Sequence, residues 1–440
     1  MATRRTFRIP MKKIFIFWLV GFGLLPVLWG QSPERIQVMT YNILNYRNFT
    51  SYCPSAQNNP TTKEGYLREV MAYALPDLIV FNEVGGATAT PHAQLLTNVL
   101  NVNGETRWAA TPYANNSFSS LVNAIFYDQN KLGLVGHWTI SKSLSNVDLV
   151  RVIDVVRFYY RDSLLSINPD TSFMTVVGAH LKAGNTTADA ADRATATAAV
   201  MQFIAQRFPQ DNVLLAGDLN VYKSQEVAFQ NLINYSVNAA RLYDPVGQLG
   251  AWNNNISFAP WHTQSTRNAS TNNGCYSGGG LDDRFDHLLV SDEILNGTKK
   301  VHYVAGSFQT IGNDGNHFNS AVDEGSNNTI PSNIRTALYN ISDHYPVILS
   351  LDMTRLGIGL PEWSKDSSWK IQTRGQGQFI VSCFAGGTTF DVVDLQGRRI
   401  LEGNAKEGKA EFQLREPYSS LFVRMFDSAG RWISSNRLTP

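Results

Sequence analysis

The stretch "NVLLAGDLNVYKS", residues 212–224, places an apolar run directly before a carboxylate and an amide. Val213 to Ala216 read as a buried strand, and Asp218 and Asn220 follow a glycine. Because residues i and i+2 of a strand lie on the same face, the two polar groups would point into one place. A strand-ending Asx turn is the alternative interpretation of this stretch taken alone.

The same arrangement recurs along the chain. Three further apolar runs end in a polar residue: Asn42 in "RIQVMTYNIL", Glu83 in "PDLIVFNEV" and His180 in "FMTVVGAHLKAG". Two runs reverse the order, with Asp286 before "LLV" and with Asp343 and His344 before "VILSL". If the second group runs antiparallel to the first, all these residues meet at one rim. The pattern therefore predicts mixed or antiparallel sheets rather than a doubly wound parallel sheet.

Each residue also has an ordinary structural interpretation. Asn42 suits a turn, Glu83 a solvated strand end, and His180 a hydrogen-bonded structural histidine, while Asp343 and His344 suit a capping turn. Six such coincidences in one chain favour a shared site.

Taken in order, these motifs resemble the endonuclease/exonuclease/phosphatase superfamily, which includes DNase I-like nucleases and neutral sphingomyelinases. The matching segments are "TYNIL", "PDLIVFNEV", "NAIFYD", "AHLKAG", "GDLN", "FDHLLVS" and "SDHYPV". The resemblance implies a four-layer α/β sandwich of two mixed or antiparallel sheets flanked by helices, over residues 31–355. It also implies metal-dependent phosphoester hydrolysis.

The resemblance assigns a metal site to Glu83 as central ligand, with Asn42 beside it and Asp343 contributing. Hard oxygen ligands suit Mg²⁺ or Mn²⁺, with Ca²⁺ as an alternative. Whether one metal acts or two stays open.

The resemblance also implies roles for the remaining residues. Asp218 would orient or deprotonate the attacking water, and Asn220 would fix that water and the phosphate. His344 would contact the phosphate or serve as base, held in its tautomer by Asp286. His180 would stabilise the transition state or protonate the leaving oxygen.

Three positions need separate comment. Asn123, in "LVNAIFY", occupies the place where some relatives carry a glutamate that orients the first histidine, so it is a supporting residue whose amide favours a protonated His180 less. His287 is expected to be structural. Arg193 would reach a phosphate or pair with Asp189 or Asp192, and the surface ion pair is the preferred interpretation.

The chain has 440 residues and a net charge of +1. Residues 1–30 hold five basic and no acidic residues, while residues 31–359 hold 21 basic and 27 acidic residues, a net of −6. Residues 1–30 read as a secretory signal peptide, with Met11 as a candidate true start. We expect no stable membrane insertion of the remaining chain. Cys53 and Cys275 are candidates for one disulfide.

Residues 356–365 read as a linker and residues 366–440 as a small all-β sandwich with hairpins at "QG" and "AG". This C-terminal region resembles the sorting domain of type IX secretion substrates. That implies contact with a secretion machinery, and export across an outer membrane to the cell surface or medium. A small adhesive β-sandwich is the alternative.

The leading hypothesis is a secreted, monomeric, divalent-metal-dependent phosphodiesterase, specifically an endonuclease acting on DNA or RNA. The alternative is a sphingomyelinase-like phospholipase C that binds a phospholipid headgroup, with Trp252, Phe258 and Trp261 as candidate contacts for lipid or bases. A third hypothesis, from another class, is a catalytically inactive adhesin.

Overall fold

A computed structural model describes residues 33–115, 119–163, 165, 171–269, 275, 277–354, 369–375, 378–383, 389–394, 399–404, 409–414, 421–426 and 432–438. The predicted signal peptide with its candidate start at Met11, and the predicted linker at 356–365, lie outside these residues. Both remain predictions, as do the exact domain limits. Within the described part, no helix combines the length and apolarity needed to cross a membrane.

The described strands before residue 355 belong to two sheets. In chain order they are β1 (Glu34–Tyr46), β2 (Leu78–Gly85), β3 (Trp108–Ala110), β4 (Leu121–Asp128), β5 (Leu132–Lys142), β6 (Asp148–Tyr160), β7 (Phe173–His180), β8 (Val213–Asp218), β9 (Leu242–Tyr243), β10 (Asp286–Ser291), β11 (Val301–Tyr303), β12 (Gln309–Thr310) and β13 (Val347–Met353).

The helices pack on the outer faces of these sheets. They are α1 (Pro60–Ala74), α2 (Thr90–Leu95), α3 (Thr187–Arg207), α4 (Val227–Ile233), α5 (Asp292–Asn296) and α6 (Ser332–Ile341), with a π-helix at Leu96–Leu100 and 3₁₀ turns at Asn238–Ala240 and Ile256–Trp261. Helix α1 buries Leu67, Val70, Met71 and Ala74, as its apolar spacing predicts. Helix α3 begins with a capping box formed by Thr186 and Asp189 and ends before Pro209.

Both sheets are mixed. The first has the order β11-β13-β1-β2-β4-β3, with β12 on β13, and the second has the order β5-β6-β7-β8-β10-β9. Strands β1 and β2 are parallel, as are β7 and β8, whereas β13 and β10 run antiparallel to their neighbours. The predicted fold class is therefore confirmed. Because β10 and β13 run antiparallel to their neighbours, the polar residues Asp286 and Asp343 come at or before the start of these strands rather than at their ends.

Three apolar clusters separate four layers. The middle cluster lies between the sheets and takes Ile36 and Val38 from β1 and Leu214 and Ala216 from β8. The alternate residues of the same strands face the helices: Met39 and Tyr41 pack towards α1 and α6, and Val213 and Leu215 towards α3 and α4. The period of two thus assigns even-numbered positions of β1 and β8 to the space between the sheets.

The C-terminal strands form two further antiparallel sheets. One is β14 (Trp369–Gly375), β15 (Gln378–Cys383) and β18 (Lys409–Gln413); the other is β17 (Arg399–Asn404), β16 (Thr389–Asp394), β19 (Leu421–Phe426) and β20 (Trp432–Leu438). Phe379, Ala410, Phe390, Val392 and Val423 form one buried cluster across both sheets. This confirms a small β-sandwich, whereas its role in sorting remains a prediction.

Candidate active site

The strand period carries polar residues to one end of the space between the sheets. Asn42 on β1, Asn82 on β2, His180 on β7, Asp218 on β8 and Asp286 on β10 all continue the even-numbered series that supplies the middle cluster. Each is at most 2% exposed. Residues scattered over more than 240 positions of sequence therefore converge where these strands end or begin.

Asn42 lies at the centre of this group. Its amide nitrogen is 3.2 Å from Glu83 Oε1, 3.0 Å from Asp218 Oδ2 and 3.4 Å from His344 Nε2. Its amide oxygen accepts a hydrogen bond of 3.0 Å from the backbone N–H of Leu44. One side chain thus links residues from both sheets.

His344 is held from both ring nitrogens. Nδ1 lies 2.7 Å from Asp286 Oδ2, and Nε2 lies 3.8 Å from Asp218 Oδ2. Burial opposes a charge on His344, but the nearby carboxylates of Asp286 and Asp218 raise its pKa well above the usual value. The contact between Asp286 and His344 is the one that the family resemblance implies.

Gln264 is a site residue that the sequence did not reveal. Its amide nitrogen lies 3.0 Å from Asp343 Oδ2 and 3.2 Å from His344 Nε2. The other oxygen of Asp343 is buried and has no hydrogen-bond partner among the described residues. Gln264 therefore ties the two residues of the "SDH" motif together at the edge of the site.

His180 faces the carboxylates with Nε2, at 3.5 Å from Asp218 Oδ2 and 3.9 Å from Glu83 Oε1. Burial lowers its pKa well below the usual value, and the positive charges of Arg151 and His344 act in the same direction. The ring is therefore neutral at pH 7. A neutral imidazole donates a hydrogen bond to a developing negative charge more readily than it releases a proton.

Asp218 is 1% exposed, and both of its carboxylate oxygens accept hydrogen bonds. Its Oδ1 accepts from the N–H of Asn220 at 2.9 Å, and its Oδ2 accepts from Asn42. Burial raises the pKa of Asp218 to about 7, because desolvation and the charges of Asp286 and Glu83 outweigh the opposite effect of His344. Asn220 has a left-handed backbone, with φ of 50°, and its amide reaches the carbonyl of Leu181 at 3.3 Å.

Asn123 does not occupy the position expected of it. Its amide oxygen accepts from Asn82 at 2.8 Å, and its amide nitrogen donates to Asp154 and to the backbone. His180 Nδ1 is buried and has no hydrogen-bond partner among the described residues. Asn123 therefore makes no hydrogen bond to His180, the histidine that it was expected to support.

Asn123 instead belongs to a buried polar chain. Asp154 pairs with His137 at 2.8 Å, Asn123 bridges Asp154 to Asn82, and Asn82 Oδ1 accepts from the N–H of Asp218 at 3.0 Å. The chain crosses both sheets and fixes the backbone at Asp218. The sequence did not mark Asn82, His137 or Asp154, because these residues meet only across the sheet interface.

Arg193 corrects a second expectation. It is 1% exposed rather than on the surface, and its guanidinium binds Glu226 at 2.7 Å. It also donates to the carbonyls of Lys182 and Gly184. Glu226 in turn accepts from the N–H of Tyr222. This buried pair joins the loop after His180 to the loop after Asp218 and Asn220.

Arg151 brings positive charge to the site. It donates to the carbonyl of Leu181 at 2.7 Å, and its charge acts on Glu83, Asp218 and His180. It lies on β6, in "LVRVIDVV", where its sequence context gave no indication of function.

Two further expectations concern the surrounding loops. The structure joins Cys53 and Cys275 in a disulfide, which packs against Leu44. Trp252, in contrast, is fully buried and donates from its indole to the carbonyl of Gln248. Trp252 is therefore excluded as a contact for lipid or bases, whereas Phe258 and Trp261 are partly buried and remain candidates. His287 is buried, with Nε2 3.0 Å from the carbonyl of Arg284, as a structural histidine should be.

The donor set fits a hard divalent cation in part. Glu83 offers a carboxylate that is 16% exposed, and Asp343 Oδ1 lacks a partner within the described residues. Among the described residues, no group of three or more carboxylate, histidine or cysteine side chains is close enough to form one ligand set. Mg²⁺ is usually held by one or two carboxylates and several waters, which these residues can supply. Asn42, however, turns its amide nitrogen rather than its oxygen towards Glu83.

Comparisons with known proteins give no family model and no curated protein that matches this chain. Among solved structures, the human Nocturnin catalytic domain with bound sulfate anion is 15% identical, with 73% of this chain and 95% of that chain covered and a TM-score of 0.45. An endonuclease/exonuclease/phosphatase family protein from Bacteroides thetaiotaomicron is 15% identical over 72% and 98%, with a TM-score of 0.45. D. rerio TDP2 complexed with single strand DNA product is 11% identical over 73% and 100%, with a TM-score of 0.42. At these levels of similarity, nothing about this chain's function rests on them.

Proposed function

We propose that this protein is a divalent-metal-dependent phosphodiesterase of the endonuclease/exonuclease/phosphatase type, and that its substrate is nucleic acid. The observation that carries the proposal is the convergence of Glu83, Asp218 and His344 on the amide nitrogen of Asn42, at distances of 3.0 to 3.4 Å. A purely structural use of these residues gives no reason to place a buried carboxylate, a partly exposed carboxylate and a buried imidazole together.

Glu83, with Asp343 contributing, would hold Mg²⁺ or Mn²⁺. When bound, the cation would supply positive charge to neutralise the phosphoryl oxygens and the departing alkoxide. Asn42 supports this site by orienting the Glu83 carboxylate.

The other residues have separate tasks. Asp218, whose pKa of about 7 suits an acceptor of protons near neutral pH, orients and deprotonates the attacking water. His344, fixed by Asp286 at Nδ1, directs Nε2 towards the phosphate. His180 offers Nε2–H to the oxygens of the transition state. Arg151 adds a positive charge where a phosphate would lie.

Two features of the chain support the proposal of export and an extracellular substrate. The N-terminal sequence has the features of a signal peptide, and a disulfide suits an oxidising compartment. The sorting role of the C-terminal sandwich, the cell-surface or extracellular location and the monomeric state belong to the same proposal.

The experiment is to incubate the purified protein with plasmid DNA, single-stranded RNA and sphingomyelin, each with Mg²⁺ and with EDTA. We expect nicking of DNA or cleavage of RNA that requires Mg²⁺. Release of phosphocholine without any cleavage of nucleic acid would replace the nuclease proposal by its alternative. Absence of all three activities in Mg²⁺ and in Mn²⁺ would favour the inactive adhesin.

One observation keeps the phospholipase alternative in place. The tip of the β5–β6 hairpin exposes Leu144, Val147 and Val150, at 56%, 63% and 44%. Val150 directly precedes Arg151, whose guanidinium reaches the loop after His180. An exposed apolar tip of a hairpin suits contact with a lipid surface. Replacing Leu144 and Val147 by serine should lower sphingomyelin hydrolysis in vesicles, but leave DNA cleavage unchanged.

A further inference from the structure

The backbone that follows Asn42 is held in an uncommon conformation. Leu44, Asn45 and Arg47 have φ values of 45°, 51° and 55°. Left-handed backbone costs a residue with a side chain about 1–2 kcal/mol, so three such residues in four need support from their surroundings. We refer to residues 43–47 as the β1 turn.

The β1 turn orients two residues of the proposed cation site. The N–H of Leu44 donates to Asn42 Oδ1 at 3.0 Å, and the N–H of Asn45 donates to Glu83 Oε2 at 2.9 Å. Glu83 itself has a φ of 61°. The direction in which the Glu83 carboxylate points therefore depends on the path of the β1 turn.

Lys63 lies behind this turn, in the first turns of α1. Its side chain is buried, at 4% exposed, and Nζ donates to the carbonyls of Ile43 at 3.0 Å and Leu44 at 2.6 Å. Burial lowers its pKa to about 7, and the charge of Arg267 acts in the same direction. A buried ammonium is costly unless it replaces its water by fixed partners. Here those partners are two carbonyls of a strained backbone.

Residues near Lys63 form hydrogen bonds with the same turn. Glu64, the next residue of α1, accepts from Tyr46 Oη at 2.7 Å and from Arg47 Nη2 at 2.7 Å. Asn58 donates to the carbonyl of Asn45 at 2.6 Å. Lys63 and Glu64 of α1, together with Asn58 just before the helix, thus contact every residue of the β1 turn through a side chain. The charge of Lys63 also acts on Glu83 and Asp343.

We propose that Lys63 is a positioning residue for the cation site: it fixes the carbonyls of Ile43 and Leu44, and so the two N–H groups that orient Asn42 and Glu83. The inference rests on the proposed function in taking Glu83 as the cation ligand. It predicts that Lys63 controls the affinity for the cation without touching it.

The test is the dissociation constant for Mn²⁺, measured by electron paramagnetic resonance on the full chain without substrate. Lys63→Met removes both hydrogen bonds, and we expect binding at least ten-fold weaker, although the loss of a nearby positive charge by itself favours a cation. Lys63→Gln keeps one donor group, so we expect a smaller loss. Leu67→Ala is the matched control, because Leu67 is fully buried on the same helix but contacts the apolar core. It should lower the melting temperature and leave Mn²⁺ affinity unchanged.

Folded Lys63→Met and Lys63→Gln proteins with wild-type affinity would overturn the inference. If Lys63→Met does not fold, Lys63→Gln decides alone. Equal loss of affinity in Leu67→Ala would also overturn it, because general destabilisation would then explain the effect. A wild-type protein that binds no Mn²⁺ would end it as well. A wild-type protein that binds Mn²⁺ but cleaves no phosphodiester would refute the proposed function and leave this inference standing.

Discussion

The two sheets orient their polar residues at the shared rim by different means. On the first sheet, Asn42 and Glu83 are fixed by backbone N–H groups of the β1 turn, which has left-handed residues and is braced by Lys63. On the second sheet, Asp218 is fixed through buried side chains. Asn82 accepts a hydrogen bond from the N–H of Asp218, and Asn123 links Asn82 to Asp154.

The difference separates two tasks. The carboxylate on the first sheet is partly exposed, as a cation ligand should be, whereas Asp218 is 1% exposed and raised in pKa by burial. Changes at Asn42 and Glu83 of the first sheet should therefore weaken cation binding. A change at Asp218 of the second sheet should impair activation of the attacking water while the cation still binds.

The largest expected effect is that of Glu83→Gln. The amide keeps the size but loses the charge that attracts a cation, so hydrolysis should fall by about 10³-fold or more. Mn²⁺ binding, followed by electron paramagnetic resonance, should be lost together with activity. Near-normal Mn²⁺ binding would show that the cation lies elsewhere.

Asp218→Asn should separate the two sheets most clearly. We expect hydrolysis to fall by about 10²–10⁴-fold because the proton acceptor is lost, while Mn²⁺ still binds. His344→Ala should likewise abolish hydrolysis. Because burial opposes the charge of Asp218, the asparagine variant should be no less stable in urea. Loss of Mn²⁺ binding in Asp218→Asn would contradict the division between the sheets.

Arg193→Met tests the joint between the two loops of the second sheet. Removing one partner of a buried pair leaves Glu226 as an uncompensated buried charge, so the free energy of unfolding should fall by about 3–5 kcal/mol. Arg35→Met is the control, because Arg35 pairs with Asp352 while 59% exposed and should matter by about 0–1 kcal/mol. Equal effects would mean that the Arg193 pair does not brace these loops.

The disulfide offers a smaller test on the side of the first sheet. Replacing Cys53 and Cys275 by serine opens a link between residues 222 positions apart and loosens the packing on Leu44. The free energy of unfolding should fall by about 2–4 kcal/mol, measured in urea without reductant. A double variant as stable as wild type would show that the disulfide does not stabilise the packing on Leu44 of the β1 turn.

The smallest effect concerns the pH dependence of stability and involves a residue outside the proposed site. Burial lowers the pKa of His92 from 6.5 to about 4. The unfolded chain therefore takes up a proton below pH 6.5 that the folded protein accepts only near pH 4, so stability should fall as pH falls through this window. His92→Phe, which keeps the stacking on Phe126, should flatten this part of the profile. An unchanged profile would assign the pH dependence to other groups.

The positions of polar residues at strand ends and starts predicted that Asn42, His180, Asp218 and Asp286 meet at one rim, and the reversed motifs predicted the mixed sheets. Contacts made only across the folded interface were out of reach. Asn82 and Gln264 have no local signal, and Asn123 was given a partner that the fold does not provide.

Burial of polar and aromatic residues in polar stretches was the other source of error. Arg193 lies among aspartates on an amphipathic helix, so a surface pair was the simplest interpretation, but loops after two strands fold over it. Trp252 stands beside three asparagines and is nonetheless in the core. Composition near a residue does not specify which loops cover it.

The most direct measurement is plasmid cleavage by the purified protein in EDTA and after Mg²⁺ is restored, with wild type and Glu83→Gln side by side. Cleavage that is absent in EDTA, returns with Mg²⁺ in the wild type and stays absent in the variant is the predicted result. Cleavage that persists in EDTA, or an active Glu83→Gln protein, would contradict a cation-dependent centre built from these strand ends.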